Sequence, residues 1–85
     1  MIRSERIHHS LSKSFTPSAL EVIDDSHKHA GHAGARPEGE THYTVIITAA
    51  AFEGLSRVAR QRAVMDVLKP EFDSGLHALS IKASS

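Results

Sequence analysis

The segment from His42 to Ala49, HYTVIITA, constrains the fold more than any other part of the chain. Tyr43, Val45, Ile47 and Ala49 alternate with His42, Thr44, Ile46 and Thr48, the period of two that sends successive side chains to opposite faces of a β-strand. The first set is expected to face a core. A strand buried on one face needs a covering layer, and 85 residues leave room for one core of modest size. The whole chain, 1–85, therefore reads as a single domain.

The covering layer is legible on either side of that strand. Ile7, Leu11 and Phe15 recur every four residues and mark one stripe of a helix over about 2–14. Thr16-Pro17 ends it, because proline disfavours helical geometry in the residue before it. ALEVID, 19–24, is short and rich in branched residues and reads as a strand. After the central strand the chain breaks at Gly54, with Ser56 as a helix N-cap and a helix over about 56–68. Pro70 interrupts that helix and starts a short turn through Phe72. LHALSIKA, from Leu76 to Ala83, reads as a final strand with His77, Leu79 and Ile81 on one face. The order is helix, strand, strand, helix, short helix, strand: an α+β chain whose economical solution is a three-stranded sheet with helices packed on one face.

The segment from 27 to 39 does not fit a short hairpin connection. It is polar, broken by Gly31, Gly34, Pro37 and Gly39, and carries His27, His29 and His32. Connections of that length in compact domains tend to be functional or disordered. His-x-His-x-x-His can wrap zinc or copper if Asp24, Asp25 or water completes the site. A glycine-rich loop is poorly preorganised for that, so a self-contained site is disfavoured against solvated imidazoles. His77, taken by its position, reads as a core or rim histidine satisfied by a hydrogen bond.

Composition narrows the function classes. Ten Lys plus Arg balance ten Asp plus Glu, against the clustered positive charge of a general nucleic-acid binder. Cysteine is absent, so disulfides are excluded and any soft-metal chemistry must use histidine or borrow sulfur from a partner. No run approaches membrane-spanning length, and the N-terminus lacks the apolar stretch of a signal peptide. The expected address is the cytoplasm. No cysteine nucleophile or phosphate-cradling loop is present, and no spacing of the serines and histidines identifies a triad, so an enzyme acting on a small-molecule substrate is the least expected class.

Several pieces, taken in order, carry a resemblance. Leu20-Glu21-Val22 with Ser26 and His29 after it, Glu40-Thr41-His42-Tyr43, Phe52-x-Gly54, Arg60-x-Arg62 and Leu76-His77-Ala78-Leu79 together resemble the BolA family, over nearly the whole chain. That resemblance implies an αββααβ fold similar to class II KH domains. It implies pairing with a monothiol glutaredoxin around a shared [2Fe–2S] cluster, in assembly, transfer or iron sensing. The isolated chain is expected to hold no cofactor of its own.

The same resemblance makes His77 the expected cluster ligand. It puts His29 at the family position that carries His in some members and Cys in others, with His32 as the alternative. His42 falls within the Glu-Thr-His-Tyr pattern and reads as structural, and His8 and His9 as ordinary surface. A [2Fe–2S] cluster needs four ligands, usually thiolate, so the sulfur would come from the glutaredoxin and a glutathione. Imidazole in place of thiolate tends to raise the potential and eases release, because imidazole protonates near neutrality.

Two departures stand out. Gln61 occupies the centre of Arg60-Gln61-Arg62 where the family often has histidine, and the segment 27–39 is longer than the commoner version. The resemblance also implies an alternative, a DNA-binding regulator of stress and cell-shape genes; among the residues, Arg57, Arg60 and Arg62 and a faint helix-turn-helix around Pro70 are what favours DNA binding. The Gly-x-x-Gly of KH domains is missing, and arginines on a half-buried helix are usually a solvated face.

Overall fold

The computed structural model describes residues 2–25 and 41–85. Helix α1 spans Arg3–Phe15, strand β1 Ala19–Asp24, strand β2 His42–Thr48, helix α2 Arg57–Val67, helix α3 Lys69–Asp73 and strand β3 Ala78–Ser84. The expected order holds, with boundaries within about two residues.

Local chemistry accounts for the ends. Thr16 closes α1 in the left-handed region, φ 45°, its N–H donating to the Ser12 carbonyl at 3.0 Å, and the following proline disfavours continuing the right-handed helix through it. At the start of α2 the Ser56 hydroxyl accepts from the Ala59 N–H at 3.1 Å, satisfying one of the amides that the first turn leaves open. The segment before it, read from sequence only as a break, instead forms a 3-10 turn over Ala50–Phe52. That turn buries the Phe52 ring completely, with its centroid 4.9 Å from that of Phe15.

The sheet order is β1-β2-β3. β1 pairs antiparallel with β2, Val22 opposite Val45, and β3 pairs parallel with β2, Val45 opposite Ile81. The parallel pairing follows from the α2–α3 crossover, since parallel neighbours need a long connection. β2 is therefore central, and its alternation is realised: Tyr43, Val45, Ile47 and Ala49 are buried. Ile7 and Leu11 of α1, Val64 of α2, Leu68, Leu76 and Phe52 complete that core, and Leu79, Ile81 and Ala83 are among the residues packed against its margin. No helix among the described residues is long and apolar enough to cross a membrane.

One buried element is polar. Arg3 continues the α1 stripe of Ile7 and Leu11 by one more step of four, and it is buried with them. Its Nη1 donates to Glu71 Oε1 at 2.8 Å, the Glu71 carbonyl at 3.0 Å and Ser74 Oγ at 2.9 Å, while Nη2 reaches the Ser74 carbonyl at 3.1 Å. Arg6 adds Nε to Glu71 Oε2 at 3.1 Å and Nη2 to Oε1 at 3.0 Å. Burial alone would push the Glu71 carboxyl up, but the Arg6 and Arg3 guanidiniums outweigh it and hold it below the ordinary carboxylate value. The network fastens the first turn of α1 to the turn between α3 and β3.

Candidate functional site

That fastened turn sets the position of His77. Gly75 takes φ 123°, a conformation glycine adopts freely, and reverses the chain after α3. Leu76 then donates its N–H to the Glu71 carbonyl at 2.8 Å and buries its side chain to 4% exposure. His77 follows, exposed, with its backbone N–H bonded to the Thr41 carbonyl at 2.8 Å. The same carbonyl accepts the Ala78 N–H at 3.1 Å. β3 begins only at Ala78, so the alternation that carries Leu79 and Ile81 inward does not extend to His77, contrary to the face expected for it.

His77 is brought instead to His42. The two ring centroids lie 5.3 Å apart at an interplanar angle of 51°. His42 is 8% exposed and its Nδ1 lies 2.9 Å from Thr41 Oγ1, consistent with the structural part expected of it. The His77 ring, in contrast, is exposed and makes no side-chain hydrogen bond among the described residues. Beside the pair, Asp25, Tyr43, Thr44, Ala78, Leu79 and Ser80 line a shallow cleft of about 260 Å³, in which Asp25 accepts a hydrogen bond from the Thr44 hydroxyl. Sequence reasoning missed this juxtaposition, which arises from the parallel register of β3 beside the start of β2 and leaves no local signal.

His27, His29 and His32 lie outside the described residues. Among those described, no group of three or more His, Asp or Glu side chains could hold a metal ion, and cysteine is absent from the sequence. Apart from His8 and His9 on α1, the described part thus offers one exposed imidazole, His77, at the end of a turn. That donor set fits a metal cluster only as a contributor of part of its ligands.

The arginines divide. Arg57 and Arg62 are exposed, whereas Arg60 is half-buried and committed to backbone, its Nε donating to the Leu55 carbonyl at 3.1 Å and its Nη1 to the Ala83 carbonyl at 3.3 Å. Arg57 and Arg60 line an open groove of about 540 Å³ between α2 and β3, and Arg62 does not. His8 and His9 are exposed on α1, as expected.

Comparison with known proteins places these features. A family model described as "BolA-like protein" matches residues 11–85. The chain is similar to a solved BolA domain of SufE1 from Arabidopsis thaliana, with 48% identity and a TM-score of 0.87 over 96% of this chain and 90% of that one. It is 46% identical to chloroplastic Protein BOLA1 of the same plant, over 93% of this chain and 51% of the relative, so it spans about half that relative's length. A more distant relative is the DNA-binding transcriptional regulator BolA of Escherichia coli, 36% identical over 95% of this chain and 72% of that protein.

Proposed function

The chain belongs to the BolA family, and from that premise we propose that it is a cytoplasmic iron–sulfur accessory protein that pairs with a monothiol glutaredoxin. The two would share a [2Fe–2S] cluster, for its assembly or transfer or for iron sensing, and the chain would act as a binding protein rather than a catalyst. One observation carries the reading: His77 is an exposed imidazole with no side-chain hydrogen bond among the described residues, held at the end of a turn that Arg3, Gly75 and Leu76 fix. A ligand on a preorganised turn binds without first having to be ordered. Lacking cysteine, the chain leaves the sulfur to glutathione and the partner, and the second histidine to His29 or, in its place, His32. When bound, the cluster would supply a labile iron and sulfide unit; the chain's own contribution is to present His77 beside His42 at the entrance of β3.

The test mixes the chain with a monothiol glutaredoxin, glutathione, iron and sulfide, and records the visible circular dichroism of the shared cluster. His77→Ala is expected to alter that spectrum and shorten the cluster's lifetime. An unchanged spectrum sinks the assignment of His77.

A second reading, DNA binding, is favoured by the name of the Escherichia coli relative and by exposed Arg57 and Arg62. It predicts a salt-dependent mobility shift of duplex DNA that disappears in the Arg57→Ala, Arg62→Ala double variant.

A further inference from the structure

The groove between α2 and β3 lies away from His77, and neither cluster binding nor duplex binding accounts for its shape. Its wall includes the open edge of the sheet. β3 is an edge strand, since the order is β1-β2-β3. The phase of its ladder can be read from both ends: Ala78, opposite His42, donates to the Thr41 carbonyl, and Ser84, opposite Thr48, accepts from the Ala49 N–H. In a parallel pair, residues whose backbone faces the neighbour alternate with residues whose backbone faces away. Ala78, Ser80, Lys82 and Ser84 therefore bond to β2. Leu79, Ile81 and Ala83 turn their N–H and C=O groups to the outside. Of these, the Ala83 carbonyl receives Arg60; the others have no partner among the described residues.

The side chains around that edge are of two kinds. Ile46, Leu55, Ile81 and Ala83 supply apolar surface. Arg57, Arg60 and Lys82 supply three cations, and no carboxylate is present among the described lining residues. Arg60 is spent on carbonyl oxygens, but Arg57 and Lys82 make no ion pair among the described residues. They also sit on opposite sides of the edge, Arg57 on α2 and Lys82 on the outer sheet face. A strand added here would meet one cation on each of its faces.

We propose that the open edge of β3 is a docking site for an acidic, extended polypeptide segment, which adds to the sheet as a fourth strand and places carboxylates against Arg57 and Lys82. Unsatisfied strand edges are ready templates for such pairing, with main-chain bonds supplying affinity and side-chain pockets specificity. A nucleic acid suits the groove less well. It has no aromatic residue among its described lining on which bases could stack, and an array of alternating N–H and C=O groups matches a polypeptide backbone, not a row of phosphates. The strand rise of about 3.3 Å per residue puts Leu79, Ile81 and Ala83 roughly 7, 13 and 20 Å from His77, so a segment docked here would run along β3 away from that imidazole.

The probe is the capped hexapeptide Val-Glu-Glu-Val-Glu-Glu, titrated into the full chain without iron and followed by amide chemical shifts. Shifts are expected at Leu79, Ile81, Ala83 and the first turn of α2. Replacing every Glu of the probe by Lys, methylating every peptide nitrogen, or introducing Arg57→Glu with Lys82→Glu should each weaken binding about tenfold or more. His77→Ala should bind the probe as the parent does, which separates this site from the cluster proposal. Three results overturn the inference: no shifts at millimolar probe, equal binding of the methylated or lysine probe, or tighter binding of an eight-residue oligothymidylate to the same amides. The last would assign the groove to nucleic acid.

Discussion

Replacing Glu71 by alanine removes the acceptor shared by Arg3 and Arg6, and the structure indicates how much that should cost. The Arg3 side chain is 7% exposed and that of Glu71 10%, so the variant leaves a guanidinium in a site that water barely reaches. Breaking one partner out of a buried pair costs about 3–5 kcal/mol. Arg6, 38% exposed, can turn to solvent, and its share is of the surface kind, about 0.2–1 kcal/mol. Arg3 keeps its bonds to Ser74 and to the Glu71 carbonyl, which favours the low end, about 3 kcal/mol. An 85-residue domain has only about 4–13 kcal/mol in total. The midpoint of thermal unfolding should fall by roughly 12–24 °C. Urea melts of the parent, Glu71→Ala and Arg3→Met/Glu71→Leu give the decisive comparison. The double variant, with no orphaned charge, should lose much less than the sum of the single changes. A loss below about 1 kcal/mol for Glu71→Ala, or strict additivity, would refute the argument that the pair is energetically coupled and buried.

The same carboxyl sets a pH dependence. Its folded value is depressed, so its contribution is complete above the ordinary value of 4.5 and is lost as the pH falls through the lower folded value. The stability gap between the parent and Glu71→Gln, measured by urea melts from pH 7 downwards, should be constant to about pH 5 and narrow below it. Gly75→Ala forces a side chain onto φ 123° and should cost about 1–3 kcal/mol, with a shift of the His77 ring resonances as the turn readjusts. Ser56→Ala removes the N-cap acceptor of α2 and should cost about 0.5–2 kcal/mol while leaving those resonances in place.

What was legible in the residues was what depends on neighbours. The alternation of Tyr43, Val45 and Ile47, the four-residue spacing of Ile7 and Leu11, and the punctuation by Pro17, Ser56 and Pro70 all act within a turn or a strand. The features that escaped depend on closure over distance. Arg3 meets Glu71 across 68 positions, and no local pattern predicts the pairing, although Arg3 continues the apolar stripe. His42 meets His77 because β3 enters parallel beside the start of β2, a fact of sheet order. Phe52 was hidden for a different reason: a single aromatic in a 3-10 turn carries no periodicity. His77 itself was placed by alternation and then displaced from it, since the strand starts one residue later.

The Thr41 carbonyl, which takes two N–H groups from the entrance of β3, has a thermodynamic consequence. It ties the beginning of β2 to His77 only when α2 and α3 have completed their crossover, so the surroundings of His77 exist in the folded chain and not in any local fragment of it. A ligand held jointly by His77 and the residues before Thr41 would bind the native state alone. Its occupancy would then register global stability: a remote core substitution that populates the unfolded state would weaken apparent affinity in proportion, without touching the site.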